Sequence, residues 1–163
     1  VPVVAAILNP STDELFTAVR GGGLFLNGAH ATLSPAHDFN PVIMVSAWEF
    51  QSDRWSTLTE TTRCRPMYSI ANTLALVAAG RVQAAFTIEP ENEWDLAAGV
   101  LLIEESGGVI SDAAGKPFVF NQSTPKFRGV IAVAATADKN LRANLQTHAE
   151  YASSQPERKR AVP

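Results

Sequence analysis

Short apolar runs separated by polar turn signals occupy the first forty residues of the chain. The pairs Asn9-Pro10 and Asn27-Gly28 favour tight turns, because proline presets the backbone angle φ and Asn-Gly suits a two-residue hairpin. The apolar runs between these turns predict strands at residues 1–8, 14–20 and 24–26. Strands joined by such short turns pair antiparallel, so this region is expected to be part of an antiparallel sheet.

From residue 41 onward the pattern changes to an alternation of strands and helices. The apolar runs predict strands at residues 42–46, 82–88, 109–110 and 129–134. Longer stretches predict helices at residues 52–62, 69–80, 95–106 and 138–151. Strands that alternate with helices indicate an α/β domain with a mostly parallel sheet flanked by helices. The predicted fold class is therefore α/β, or α+β over the whole chain.

The same pattern divides the chain into three regions. The loop that ends at Asn40-Pro41 is a predicted domain boundary, so residues 1–40 would be the antiparallel end of a first domain. Residues 41–150 would form a second, α/β domain. Residues 151–163 are expected to be a flexible tail, since the basic triplet at 158–160 is typical of a solvated chain end.

The predicted helix at residues 95–106 is apolar on nearly every side and begins with a carboxylate, Asp95. A helix without a polar face is expected to be buried on most sides, and the neighbouring Trp94 is expected to be buried with it. Asp95 would then lie at the edge of the core, where an unpaired charge is costly. Two interpretations follow: Asp95 satisfies backbone N–H groups at the helix start, or it binds a metal ion.

Composition excludes several classes of protein. The chain has 163 residues, of which 46% are hydrophobic and 18% charged, as in a folded domain and not in a disordered chain. A net charge of −3 gives no reason to expect nucleic acid or an acidic membrane as a partner, and no apolar run reaches transmembrane length. The single cysteine, Cys64, cannot form an internal disulfide, which favours a reducing, cytoplasmic compartment.

Three motifs carry a resemblance to a known family. The chain has Trp-Asp-Leu-Ala-Ala-Gly at residues 94–99, Glu-Glu-Ser-Gly-Gly at 104–108 and Asp-Ala-Ala-Gly-Lys-Pro at 112–117. Together they resemble the C-terminal signature of the inositol monophosphatase-like family, which includes inositol monophosphatases and 3′(2′),5′-bisphosphate nucleotidases. The pattern of residues 9–28 is similar to strands of the same family.

The resemblance implies a fold, an activity and one metal ligand. The family fold is a layered α/β/α/β/α sandwich, in which this chain would supply the end of a first, metal-binding domain and the whole second domain. Members resembling this chain are magnesium-dependent, lithium-sensitive phosphatases of small phosphate monoesters, and are commonly homodimers. In the family the Asp of the Trp-Asp motif binds a catalytic metal, so the resemblance makes Asp95 the expected ligand of Mg²⁺.

The resemblance also implies where a substrate binds. Ser69, Ile70 and Ala71 align with a family stretch that lies against the substrate. The family often has a Glu seven residues before the metal-binding Asp, a position that Ile88 occupies here, and Glu89 beside it is the candidate carboxylate. This departure weakens the case for inositol and leaves room for another phosphate monoester. The candidate substrates are an inositol-type polyol or sugar phosphate and adenosine 3′,5′-bisphosphate.

Two features of the sequence leave the activity open. Glu89, Glu91 and Glu93 form a run of alternate charges that equally suits a solvated acidic loop. The family's other metal ligands come from a Glu-Glu pair and an Asp-Pro-x-Asp-Gly-Thr motif upstream of the position where this chain begins, and Mg²⁺ needs near-octahedral oxygen coordination. The chain alone is therefore expected to be inactive. The hypotheses are a metal-dependent phosphomonoesterase in complete form, or a truncated, non-catalytic structural or interaction module.

Overall fold

The computed structural model describes residues 1–33, 42–51, 58 and 62–154. The predicted boundary at residues 40–41 and most of the predicted tail lie outside this part of the chain. The predicted helix at residues 52–62 lies almost entirely outside it as well. The division into two domains and a tail therefore stays a prediction.

The first sheet is antiparallel, as the turn signals predicted. It contains β1 (Val4–Asn9), β2 (Glu14–Val19), β3 (Leu24–Leu26) and β4 (Ala29–His30), hydrogen-bonded in that order. The turn between β3 and β4 is the Asn27-Gly28 pair, in which both residues have a positive φ. The Asn27 side chain accepts a hydrogen bond from the Leu15 N–H at 2.7 Å, which ties this turn to β2.

The second sheet is mixed, with one strand running against the others. It contains β5 (Val42–Ser46), β6 (Arg63–Met67), β7 (Ala84–Asn92), β8 (Val109–Ser111) and β9 (Lys126–Val133), in the spatial order β6-β5-β7-β9-β8. β5 is parallel to β6 and β7, whereas β9 is antiparallel to β7 and β8. Four strands therefore share one direction, which confirms the mostly parallel sheet.

β6 is one of two strands that the sequence pattern missed, the other being the two-residue β4. Arg63, Arg65 and Pro66 interrupt any apolar run, and of its five residues only Met67 is buried. The strand lies at one edge of the sheet, paired with β5. Charged residues and proline are common on edge strands, because one side of such a strand needs no partner in the ladder.

The described part of the chain contains the helices α1 (Ala47–Phe50), α2 (Ile70–Ala78), α3 (Glu93–Glu105) and α4 (Leu141–Ser154). α2 and α3 occur where the sequence predicted helices, whereas the short α1 was not predicted. α4 begins three residues later than predicted, because the Asp138 side chain holds the preceding residues in a turn by accepting the Asn140 N–H at 2.7 Å. None of these helices is both long and apolar enough to cross a membrane.

The elements of the described residues stack as four layers, namely the first sheet, the pair α2 and α3, the second sheet, and α4. A continuous buried core joins the inner face of the first sheet, through Phe16, to α2, α3 and one face of the second sheet. The opposite face of the second sheet packs on α4 through Phe86 and Leu145. The helix pair is therefore buried between two sheets, which explains why α3 is apolar on nearly every side.

The loop after β2 ties the first sheet to the end of α3. The Gly21 and Gly23 N–H groups donate to the two carboxylate oxygens of Glu105, at 2.8 and 2.9 Å. These hydrogen bonds hold the pKa of Glu105 below its ordinary value. Beside them Arg20 pairs with Glu104 at 2.8 Å. The amides of this glycine-rich loop thus bind a carboxylate of the chain itself.

The outer face of the first sheet is apolar and exposed in this chain. Val4, Leu8 and Val19 point away from the core, with 69%, 58% and 53% of their surfaces exposed.

Trp94 is 67% exposed, so its predicted burial is wrong. Its side chain lines an open groove of about 470 Å³ beside Val4 and Phe120, and does not enter the core between the sheets. Truncating Trp94 would therefore not leave a cavity in the core of this chain.

Candidate functional site

The strand ends of the second sheet bring the predicted site residues to one edge. β5, β6 and β7 are parallel, so their carboxyl ends share that edge. Ser69 follows the end of β6, Glu89 lies in the last part of β7, and Asp95 lies just beyond β7 where α3 begins. Ligands bind at this edge of open α/β sheets, in the crevice outside the carboxyl ends of the strands.

Asp95 lies in the first turn of α3 and is half-buried. Its Oδ2 accepts a hydrogen bond from the Asn92 side-chain amide at 3.0 Å, and among the described residues this is its one hydrogen bond. Within residues 62–154 no backbone N–H group donates to it, so capping of the helix is the weaker of the two interpretations. A half-buried carboxylate with unfilled lone pairs can bind a cation.

Like charges gather around Asp95. Glu89 and Glu91 lie in β7 and are half-buried, so the solvated acidic loop considered from the sequence is wrong. Desolvation raises the pKa of Glu91, and the charges of Asp95 and Glu89 raise it further. Glu93 has a structural role, because its carboxylate accepts hydrogen bonds from the N–H groups of residues 121–122 at 2.8 and 3.0 Å.

β7 is longer than the sequence pattern predicted. The apolar run ends at Ile88 because Pro90 and the glutamates interrupt it. β5 pairs with β7 only as far as Phe86, whereas β9 pairs with it as far as Asn92. The last part of β7 thus resembles an edge strand, where proline and charged residues are tolerated.

Asp95 fits as one ligand of a divalent cation. Carboxylate oxygens are the donors that Mg²⁺ prefers, and the charges of Asp95 and Glu89 add to the desolvation that raises the pKa of Glu91. In the described part of the chain, no group of three or more His, Cys, Asp or Glu side chains is arranged to hold a metal ion. Since Mg²⁺ takes about six oxygen ligands, the others would come from water, substrate or residues beyond those described.

The start of α2 offers polar backbone groups at the same edge. Ser69 is exposed, whereas Ile70 and Ala71 are half-buried. The Ser69 hydroxyl oxygen accepts the Asn72 N–H at 3.3 Å, and this bond caps the helix. The first N–H groups of a helix have no partner inside it, so those of Ile70 and Ala71 can donate to an anion.

Glu49 lies at the same edge, and the sequence predicted no role for its side chain. It follows β5 in α1 and is buried, with 3% of its surface exposed. Its carboxylate accepts hydrogen bonds from the Thr87 hydroxyl and from the Ile88 N–H, the latter at 2.9 Å. Burial raises the pKa of Glu49 to about 7, although both hydrogen bonds lower it. The local sequence does not reveal these hydrogen bonds, because the two partners lie 38 and 39 residues away from Glu49.

The free energy of unfolding is expected to depend on pH through Glu49. Its pKa is higher in the folded chain than the ordinary 4.5. The stabilisation that this shift gives the folded chain is therefore fully present below about pH 4.5 and is lost as the pH rises through about 7. The loss amounts to about 3 kcal/mol. Denaturant unfolding at pH 5 and at pH 8 measures this loss. Between these two pH values the free energy of unfolding should fall more for the wild type than for Glu49→Gln, whose side chain does not titrate.

The difference in pH dependence between the wild type and Glu49→Gln separates the effect of Glu49 from that of other titrating groups. Glu91, with a raised pKa, acts in the same direction, whereas His148, with a pKa lowered by burial, acts in the opposite one. Both are present in wild type and variant alike. Parallel pH profiles for the two proteins would contradict the burial of a titrating carboxylate at position 49.

The two stacked sheets, the helix pair between them and the acidic strand edge define a protein of the inositol monophosphatase fold. The structure matches that of an IMPase from Thermotoga maritima with a TM-score of 0.76 at 24% identity, over 92% of this chain and 56% of that one. The suhB protein of Bartonella henselae matches with a TM-score of 0.72 at 27% identity, over 91% of this chain and 56% of that one.

The chain belongs to the inositol monophosphatase family, whose family model matches residues 1–155. The Nus factor SuhB of Escherichia coli K12 is 39% identical over 121 residues, covering 69% of this chain and 45% of that protein. Inositol monophosphatase 2 of Solanum lycopersicum is 34% identical over 129 residues, covering 72% of this chain and 48% of that protein. The chain thus spans about half the length of these relatives. The family predicted from the three motifs is confirmed.

Proposed function

We propose that this chain, within the complete protein, is part of a magnesium-dependent phosphatase that hydrolyses a small soluble phosphate monoester. The observation that carries the proposal is Asp95, half-buried at the carboxyl edge of the second sheet beside Glu91, whose pKa is raised by desolvation and by the charge of Asp95. Membership of the inositol monophosphatase family supports a phosphatase. Because the chain spans about half of its relatives, the remaining metal ligands would come from outside it.

The predicted residues take separate parts in this reaction. Asp95 would hold the metal ion, and the chemistry that magnesium supplies when bound is polarisation of the phosphate ester and activation of water. The N–H groups of Ile70 and Ala71 would donate to substrate oxygens, with Ser69 capping the helix that presents them. Glu89 would accept hydrogen bonds from substrate hydroxyl groups.

The substrate class is proposed from position 88. Ile88 stands where many family members have Glu, and its N–H is bonded to Glu49. An apolar side chain cannot bind the hydroxyl groups of a polyol, so recognition at this position differs from that of an inositol phosphate. We therefore keep two candidates, a polyol or sugar phosphate and adenosine 3′,5′-bisphosphate. The free thiol of Cys64 supports a reducing, cytoplasmic compartment, and a homodimer stays a prediction.

The alternative is a non-catalytic interaction module. Relatives of this chain at 39% and 40% identity carry the name Nus factor SuhB. The described residues hold no group of three or more side chains arranged for a metal ion. The exposed apolar face formed by Val4, Leu8 and Val19 would suit contact with another protein.

The test is phosphate release by the complete purified protein in the presence of Mg²⁺. Inositol monophosphate and adenosine 3′,5′-bisphosphate are compared as substrates, each with and without lithium. We expect metal-dependent release from at least one of them, and inhibition by lithium. The 163-residue chain alone serves as the control and is expected to be inactive. A folded complete protein that releases no phosphate from either substrate would favour the interaction module.

A further inference from the structure

The last part of β7 is irregular beside the candidate site. β7 pairs with β9 in one register as far as Thr87 and resumes at Pro90 in a shifted register. Ile88 and Glu89 fall between these two stretches. A bulge of this kind takes backbone N–H groups out of the ladder, and each buried one then needs another partner.

Glu49 and Thr87 supply those partners. The Ile88 N–H donates to Glu49 Oε1 at 2.9 Å, and the Glu89 N–H donates to Thr87 Oγ1 at 3.1 Å. The Thr87 hydroxyl in turn donates to Glu49 Oε2. Both side chains are buried, with 3% and 0% of their surfaces exposed. This pair, here named the Glu49–Thr87 clamp, holds two successive amides of the bulge: Glu49 holds one from α1 at the end of β5, and Thr87 holds the next from within β7.

The opposite strand is shaped for the same bulge. Gly129 in β9 has a φ of 69°, which residues with a side chain rarely adopt. A Cβ atom at this position would lie 2.3 Å from the Thr87 carbonyl oxygen and 2.8 Å from Ile88 Cα, both closer than real atoms approach. The bulge is therefore specified by three separate elements, namely α1, β7 and β9.

The bulge leads directly into the candidate metal ligand. Pairing of β7 continues from Pro90 to Asn92, and α3 follows with Asp95 in its first turn. Side chains alternate along a strand, so a one-residue change of register moves each following side chain to the other face. The bulge thus decides on which face Glu91 lies and how Asp95 enters the edge of the sheet.

A buried carboxylate is a costly way to hold a strand. Desolvation opposes the charged form of Glu49, and the nearby charges of Glu89 and Glu91 oppose it further. A neutral side chain with an oxygen acceptor would hold the same N–H group at lower cost. Costly, desolvated groups of this kind gather at functional sites more than at purely structural ones.

We propose that Glu49 and Thr87 are positioning residues of the candidate site. They hold the bulge of β7, and the bulge sets the direction in which residues 88–95 present Glu89 to substrate and Asp95 to the metal ion. This inference rests on the proposed function, because it gives the clamp a part in the phosphatase reaction.

The test compares four variants of the complete protein. Glu49→Gln and Thr87→Ser keep an oxygen that can accept the bulge N–H groups, whereas Glu49→Leu and Thr87→Val remove it. Each variant is measured for thermal unfolding, for amide hydrogen exchange at Ile88 and Glu89, and for kcat and KM in phosphate release. The two variants that lack the oxygen should exchange faster at these amides and lose about 10- to 100-fold in kcat, with little change in KM. The two variants that keep the oxygen should retain most of the exchange protection at these amides and most of the wild-type kcat.

The possible outcomes separate this inference from the function on which it rests. Faster exchange with unchanged kcat would overturn it, and so would unchanged exchange at both amides. If Glu49→Leu does not fold, Thr87→Val, which keeps the shape of the side chain, decides the result. A wild-type protein without activity would overturn the proposed function and the clamp's part in catalysis, whereas the exchange data would still decide whether the clamp holds the bulge.

Discussion

Replacement of Asp95 by Asn is expected to remove most phosphatase turnover from the complete protein while leaving its fold nearly intact. Asn keeps the size of the side chain and an oxygen that can accept the Asn92 amide, so the one described hydrogen bond of Asp95 can persist. The negative charge that would bind a metal ion is lost. Because residues that merely orient metal ligands cost about 10- to 100-fold when removed, loss of a ligand should cost more than about 100-fold.

The stability of Asp95→Asn should change little, because two effects oppose each other. A carboxylate in the first turn of a helix is favourable by about 0.3–1 kcal/mol, and this is lost. The repulsion between Asp95 and Glu91 is relieved at the same time. Glu104→Gln is the matched control, since it removes the same charge from the other end of α3, where the side chain pairs with Arg20 at the surface. Full activity of Asp95→Asn would remove the metal-ligand role.

Replacement of Gly99 by Ala is expected to destabilise the chain, although Ala normally favours a helix over Gly by about 1 kcal/mol. A Cβ atom at position 99 would lie 2.4 Å from Leu74 Cδ1 and 2.6 Å from Leu74 Cβ, where α3 crosses α2. Gly99 and Leu74 are both buried between the sheets, so the helices must separate or Leu74 must leave its rotamer. Overpacking of this kind costs about 1–3 kcal/mol, and denaturant unfolding followed by circular dichroism would measure it.

Leu74→Ala supplies the control for this crossing. Alone it should also destabilise, by about 2–5 kcal/mol, because it leaves a cavity. Combined with Gly99→Ala, the extra methyl group enters the vacated space, so the double variant should lose less than the sum of the two single losses. A coupling of about 0.5–3 kcal/mol is expected for residues in contact. Strict additivity would show that the two helices do not meet at these positions.

The sequence predicted elements well wherever the deciding interactions are local. The Asn27-Gly28 turn, the helix within residues 69–80 and the apolar run of β5 were predicted and occur as expected. The predictions failed for elements whose secondary structure depends on the strands that lie beside them in space. β6 was missed because an edge strand needs no apolar run, and β7 was ended too early because Pro90 is tolerated where β5 no longer pairs.

Burial was the property that sequence composition predicted least reliably. Trp94 was expected to be buried because α3 is apolar on nearly every side, yet its side chain lies in an open groove. Glu49 shows the reverse, since a charged residue in a short helix is almost completely buried. Hydrophobicity indicates whether a side chain tolerates burial, whereas the packing of elements distant in the sequence decides whether it is buried.

By itself the sequence determined the family, the order of most strands and helices, and the identity of Asp95 as the candidate ligand, because motifs and hydrophobic periods are properties of neighbouring residues. Only the tertiary structure decided that Glu49 reaches the bulge of β7, that Gly129 makes room for it, and that α2 and α3 cross at Gly99. Each of these contacts joins residues that are 25 or more positions apart in the chain. Such pairs meet only when the sheets and helices pack together, and no local pattern records which residues they bring into contact.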